Sequence, residues 1–294
     1  PETAIARGYW DQGILEAIFD GTLWAPPGGY EFIHHEGATI LDDLVAQGLG
    51  GVVVVPARHH ADLESVAWLN ERLRALPWCL LILTGDEEPA FPYDDLDLPE
   101  RSALWAMGAK PSAHPAREHV PLGSGYPPQF AAALRGQPVP EKTLLWAFAG
   151  QVTHERREQC VAELRGRDNG ELHETDGFTL GLDAEKYAEM MARAKIIPCP
   201  SGPVSSDSFR LYEALEAGAI PIADTVTPMG DERGYWTYVF GEPPPFPEVT
   251  SWAAFPALEH ELRAGWPANA NRVTAWWLGW KRRLAWALHD TVAG

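Results

Sequence analysis

Cysteine is scarce in this chain: three residues, Cys79, Cys160 and Cys199, in 294. An odd number at wide spacing builds no disulfide framework, and no Cys-x-x-Cys pair suggests a redox or zinc centre. A reducing, cytoplasmic setting is the expectation. Long apolar runs are also lacking. The longest, "GVVVVPA" and "WCLLILTG", have the length of buried strands and fall far short of the ~20 residues a membrane helix needs. The opening residues "PETAIARGYW" have no basic region followed by an apolar stretch, so no secretory leader is expected. Basic residues are in deficit, 23 Lys and Arg against 41 Asp and Glu, for a formal net charge of −18. That balance argues against a protein that grips nucleic acid mainly by neutralising phosphates.

A local basic patch is still open to it. In "NRVTAWWLGWKRRLAWALHD", Arg272, Lys281, Arg282 and Arg283 interleave with Trp276, Trp277, Trp280 and Trp286. The tryptophans have helical spacing, so core packing against the first domain is expected ahead of a membrane or nucleic-acid face. Peripheral membrane or DNA contact through this helix is the less favoured reading.

What is present is the composition of a globular α/β protein, 46% hydrophobic and 22% charged, at a length that suits two domains. "AIARGY", "YEFIHH", "GVVVVPARHH" and "WCLLILTGDEE" read as strands. "DQGILEAIFDG", "TILDDLVAQG" and "ADLESVAWLNERLRAL" read as helices between them. Residues 89–140 are richer in Pro and Gly and weakly periodic, and 135–142 reads as a linker. A second alternation starts at "TLLWAFAGQ". It runs through the helix of "HERREQCVAELRG", the weak strand "GELHETDG", a helix from 183 capped by Asp183, and the strand "KIIPCP". The helix "SFRLYEALEAG", stopped by Gly218, and the strand "AIPIAD" follow. "SWAAFPALEHELRAGW" reads as helical but broken at Pro256. Strands alternating with helices predict parallel sheets. The predicted domains are 1–140, 141–270 and a terminal helix at 271–294 that returns to the first.

Ligands of parallel α/β sheets bind where strand ends pass into helices, and "CPSGPVSSDSFR" (199–210) has that position. Its Gly and Ser residues let backbone N–H groups approach an anion, and the following helix adds its positive end. Arg210 supplies a forked donor for phosphate oxygens. Glu213, one turn on, suits the vicinal hydroxyls of a ribose. The plainer alternative is a capped helix with a surface Arg–Glu pair worth a few tenths of a kcal/mol.

"YAEMMARAKIIPCPSGPVSSDSFRLYEALEAGAIPI" resembles the C-terminal half of the exostosin-type glycosyltransferases (family 47). The matching positions are Tyr187, Cys199, Pro200, Gly202, Ser208, Arg210, Glu213, Ala214 and Pro221. "FAGQVTHERR" is similar to the family's Phe-x-Gly stretch, through Phe148, Gly150 and Arg156 or Arg157, so the likeness covers roughly 145–225. The resemblance implies a GT-B architecture, two Rossmann-like domains facing across a cleft with the donor on the second. It also implies inverting transfer from a UDP-sugar, with no cofactor and no essential metal. The implied donor set is Gly150, Arg156, Arg157, Ser201, Gly202, Ser208, Phe209, Arg210 and Glu213.

Such a reaction needs a general base at the acceptor and charge stabilisation at the leaving diphosphate. "LTGDEEP" offers Asp86, Glu87 and Glu88 directly after a buried strand, and Asp11 in "GYWDQG" is the second candidate. Tyr9 and Trp10 beside it are placed to stack on an acceptor. The doublets His34–His35 and His59–His60 end predicted strands. Neighbours on a strand point to opposite sides, so a metal would need one His from each doublet. Acceptor contact or a base role for His34 or His35 is the expectation, with no metal site. Two alternatives stay open: a catalytically inactive nucleotide- or glycan-binding module of this fold, and a glycosyltransferase acting on hydroxymethylated bases of (viral) DNA.

Overall fold

The fold is described from a computed structural model, which describes residues 12–20, 38–56, 63–85, 91–107, 119–135, 140–177 and 181–293. The chain divides into two compact units. One draws chiefly on Leu15–Ser124 with Arg282–Gly294, the other on Gly125–Lys281.

Helix α1 (Gln12–Asp20), which belongs to the first unit from Leu15 on, buries Ile14, Leu15 and Ile18. Helix α2 (Ala38–Gln47) stops at Gly48, whose φ of 64° is a left-handed conformation that favours glycine. Strand β1 (Gly51–Pro56), helix α3 (Leu63–Leu73) and strands β2 (Cys79–Thr84), β3 (Ser102–Met107) and β4 (His119–Leu122) complete the described part. The four strands lie side by side in chain order, all parallel. As its unbroken apolar sequence predicts, β2 is buried along its whole length. Val53, Val55, Leu81 and Leu83 share a core with Leu41, Val66, Leu69 and Leu73.

Part of the segment read as weakly periodic is ordered structure, with β3, β4 and helix α4 (Pro128–Arg135) inside 89–140. These elements have 6, 4 and 8 residues, too short for a hydrophobic period to stand out.

The second unit is built on β5 (Leu144–Gln151), α5 (Glu155–Leu164), β6 (Gly170–Thr175), α6 (Ala184–Arg193), β7 (Ala194–Cys199), α7 (Phe209–Glu216) and β8 (Ile220–Asp224). A short hairpin of β9 (Val226–Thr227) and β10 (Gly230–Asp231) follows, then α8 (Tyr235–Phe240), β11 (Glu248–Val249), α9 (Phe255–Ala264) and α10 (Ala268–Ala293). The main sheet is parallel in the order β11-β8-β7-β5-β6. The chain steps outward from β5 to β6, then crosses back to β7 and continues the other way. Its topological switch point therefore lies between the carboxyl ends of β5 and β7. Asp183 caps α6 as predicted, its Oδ1 accepting from the Lys186 amide at 2.8 Å.

Pro256 does not break its helix. A 3-10 turn at Trp252–Ala254 leads into α9, and Pro256 stands in the first turn, where the N–H it lacks has no intrahelical partner anyway. Trp276, Trp277 and Trp280 of α10 pack on α7 and α8 of the second unit, where the sequence predicts packing against the first domain. Trp277 is buried and faces Tyr212 at 6.3 Å between ring centroids, and Phe240 lies 4.8 Å from Trp276 and 5.2 Å from Trp280. Glu216 of α7 accepts from Trp277 Nε1 at 2.9 Å and Lys281 Nζ at 2.7 Å. Trp286 is exposed. Among the described residues no helix is long and apolar enough to cross a membrane.

Candidate functional site

Two chain segments meet at the switch point. Strand β5 ends in Gly150–Gln151 and turns through His154, the N-cap position of α5. Strand β7 ends at Cys199 and passes through a loop at 200–207 to Ser208, the N-cap position of α7.

Arg210, in the first turn of α7, ties these segments together. It is 8% exposed and reaches back to β5, where Nη2 donates to the Ala149 carbonyl at 2.8 Å. Its guanidinium carbon lies 4.4 Å from the centre of the Phe148 ring. Gly150 makes this approach possible, since a Cβ there would stand 2.2 Å from Arg210 Nη2. Nε and Nη1 of Arg210 are buried and have no hydrogen-bond partner among the described residues. Each such donor costs about 1–3 kcal/mol while it stays unpaired.

Glu213, one turn on, is 5% exposed and accepts from Tyr187 Oη at 2.6 Å. Burial raises its pKa above the ordinary carboxylate value, opposed by the Tyr187 hydrogen bond and the Arg210 charge. The plainer alternative of a solvated Arg–Glu surface pair is not what these side chains form, because both are buried and each reaches a different partner.

The loop between β7 and α7 is braced from several sides. The Ser206 amide donates to Glu232 Oε2 at 2.6 Å, and Tyr235 Oη to Asp207 Oδ2 at 2.9 Å. Asp207 Oδ1 accepts from the Ser208 amide at 2.9 Å. Within this frame the hydroxyls of Ser201 and Ser206 are buried and lack partners among the described residues. Gly202 is half-buried, and a Cβ there would meet the Ser205 carbonyl at 3.1 Å. Ser208 and Phe209 are half-buried at the start of α7.

The two adjacent arginines of α5 differ. Arg156 is buried against the fully buried Asp224, Nη2 at 2.6 Å and Nε at 3.1 Å from its two oxygens. Its Nη1 donates to Gln159 at 2.9 Å, so each of its nitrogens has a protein acceptor. Asp224 also accepts from Trp252 Nε1 at 3.0 Å, from the Val226 amide at 3.1 Å and from the Ser201 amide at 3.4 Å. This ion pair braces the floor of the site. Arg157 is half-buried, and its Nη1 donates to the Gln151 carbonyl at 3.3 Å.

His154 and Asp224 were missed by the sequence reading. Both ring nitrogens of His154 are buried and neither makes a hydrogen bond of ordinary geometry among the described residues, although the Ser201 backbone lies close enough to act on the ring. Burial and, next, the Arg157 charge push its pKa below the usual histidine value, against the Ser201 backbone, Asp224 and Glu155. The available signal was position: a polar residue just past the carboxyl end of a parallel strand. Tyr9, Trp10, Asp11, His34, His35, His59, His60, Asp86, Glu87 and Glu88 lie outside the described residues.

Chemically, this is a set of cationic and hydroxyl donors beside a helix N-terminus, with a buried carboxylate one turn further along. Donors of that kind take the oxygens of a phosphate, and the carboxylate takes hydroxyl hydrogens.

No family model and no curated protein matches the sequence, so the exostosin-type resemblance has no such match behind it. Among solved structures, the chain is similar to the DNA-modifying enzyme β-glucosyltransferase, determined in the presence and absence of uridine diphosphoglucose. The identity is 11%, the match covers 90% of this chain and 98% of that one, and the TM-score is 0.43.

Proposed function

We propose that the protein is an inverting glycosyltransferase of the GT-B type, moving a sugar from a UDP-sugar to an acceptor hydroxyl. The observation that carries the reading is the buried Arg210, with two unpartnered donors at the start of α7 and Glu213 buried one turn on. In this reading the diphosphate lies against Arg210, Arg157, the Ser201–Ser208 loop and the α7 N-terminus, and Glu213 accepts from the ribose hydroxyls. When the bond from the anomeric carbon to the phosphate oxygen breaks, the electron pair goes to that oxygen. Fixed donors stabilise the charge there without a bound metal. In this reading a carboxylate takes the acceptor hydroxyl's proton, and Asp86, Glu87 and Asp11 are the candidates.

Calorimetric titration with UDP, GDP and dTDP tests the donor site on the wild type and on Glu213→Ala and Glu213→Gln. Micromolar UDP binding that both substitutions weaken is the expected result. Unchanged affinity in Glu213→Gln would remove the ribose assignment. Hydrolysis of a UDP-sugar without acceptor separates an enzyme from an inactive binding module. A salt-dependent gel shift with duplex DNA separates a DNA acceptor from a glycan or small molecule.

A further inference from the structure

The ring of His154, just past the carboxyl end of β5, is a polar group that the proposed donor contacts do not use. It stands at the N-cap position of α5 yet makes no side-chain capping bond. Both ring nitrogens are shielded from solvent and neither makes a hydrogen bond of ordinary geometry among the described residues, although the Ser201 backbone lies close enough to favour the charged ring and the residue as a whole is half-buried. A neutral imidazole offers one donor and one acceptor, so leaving both unused in a shielded place is unfavourable. Other atoms without partners among the described residues at these strand ends are the Ser201 hydroxyl, after β7, and Nε and Nη1 of Arg210 on α7. All of these can donate to an anion, and Ser201 and Arg210 are more than nine-tenths buried.

We propose that His154 donates a hydrogen bond to the outer phosphate of a bound nucleoside diphosphate and takes up a proton from solvent as it does so. The inference rests on the donor-site reading above and adds to it a residue and a proton count. The groups that act on the ring are Arg157 and Glu155 on its own helix, Asp224 at the end of β8 and the Ser201 backbone after β7. Asp224 is already neutralised by Arg156. Burial and Arg157 therefore prevail, and the ring is neutral near pH 7 before the ligand binds. A phosphate bearing close to two negative charges reverses that balance. Binding then consumes a proton in the interval above the lowered pKa, and affinity falls as pH rises, by up to about tenfold per unit. The imidazolium is also in place to meet the charge that develops on the leaving diphosphate.

The test is titration of the full chain with UDP at pH 7 in buffers of different ionisation enthalpy, with uridine as the probe lacking phosphate. The wild type should take up about one proton per UDP and none with uridine. His154→Gln, which keeps a hydrogen-bond donor but cannot ionise, should abolish the uptake and weaken UDP about 10- to 100-fold, with uridine affinity unchanged. His154→Asn serves as the second variant. UDP binding by the wild type without proton uptake, or uptake that survives in His154→Gln, overturns this inference and leaves the donor-site reading standing. Absence of UDP binding by the wild type overturns both.

Discussion

Replacing Arg210 with methionine separates a binding residue from a structural one, because the two roles predict opposite balances of stability and affinity. Without ligand the guanidinium has two buried donors that lack partners among the described residues, a liability of about 1–3 kcal/mol each. Against this stand one charged hydrogen bond to Ala149 at 2.8 Å, worth about 1.5–3 kcal/mol, and the contact with Phe148 at 4.4 Å, worth up to about 2 kcal/mol. The sides nearly cancel, so Arg210→Met should unfold in urea within about 2 kcal/mol of the wild type. A thioether against Phe148 is a favourable replacement. Affinity should not cancel. Loss of two charge-assisted bonds to a diphosphate raises the Kd at least 100-fold, at about 1.5–3 kcal/mol per bond. UDP at 100 times the wild-type Kd stabilises the wild type by about 2.7 kcal/mol. The same concentration stabilises the variant by no more than about 0.4 kcal/mol, from RT ln 2. Urea unfolding with and without UDP measures both quantities. A variant that loses 3–5 kcal/mol without ligand yet keeps the ligand increment would refute the reasoning and make Arg210 a structural residue.

Gly150→Ala places a Cβ 2.2 Å from Arg210 Nη2 at a backbone φ of 156° that also strains any side chain, and should swing the flexible guanidinium off Ala149. UDP affinity measured by calorimetry should drop at least tenfold with stability within about 2 kcal/mol of wild type; wild-type affinity would disconnect Gly150 from the site. Asp224→Ala strands a buried Arg156 whose side chain is 7% exposed and should cost about 3–5 kcal/mol in urea unfolding. Arg156→Met combined with Asp224→Leu should recover most of that loss, and a failure to recover would show that Asp224 acts through its other donors. Folded Glu213 keeps its proton to higher pH than an ordinary glutamate, about 4.3, so the folded state binds more protons just above that pH and the wild type loses stability there as pH rises. Glu213→Gln removes this slope: its stability relative to wild type should climb from about pH 4.5 and level off above the folded pKa, and parallel urea midpoints from pH 5 to 8 would contradict the raised pKa.

The parts of the fold legible in the sequence are those where one physical signal dominates. The six residues of β2 carry no polar group but Thr84, and such a run is stable only with both faces covered. The ends of α6 and α7 are marked by Asp183 and Gly218, and the structure uses both, one as an N-cap and the other at φ 65°. Where signals are weak the structure is set by distant partners. Strand β4 has four residues including Pro121 and joins the sheet only beside β3. The 3-10 turn at Tyr93–Asp95 is held by Asn70, whose Nδ2 donates to the Asp95 carbonyl at 2.6 Å, and by Tyr93 Oη on the Met107 carbonyl at 2.9 Å. No local window contains those pairs.

The same division runs through the site. The three-residue spacing of Arg210 and Glu213 fixes them on neighbouring faces of one helix turn, which is why local sequence was enough to bring them together. Arg156 and Arg157 defeated it for the opposite reason. Adjacent helical residues point about 100° apart, so one of the two can face the core while the other faces the crevice, and composition does not say which. Asp224, 68 residues away, decides the matter by claiming Arg156. The same carboxylate receives the Ser201 amide, so a single buried ion pair fixes both α5 and the β7–α7 loop at the ends of their strands. A site whose flanking charges are already neutralised in this way can leave Arg210, Ser201 and His154 unsatisfied without the fold collapsing onto them. That division between satisfied floor and unsatisfied rim, among the described residues, is a three-dimensional property, and the proposed donor site rests on it.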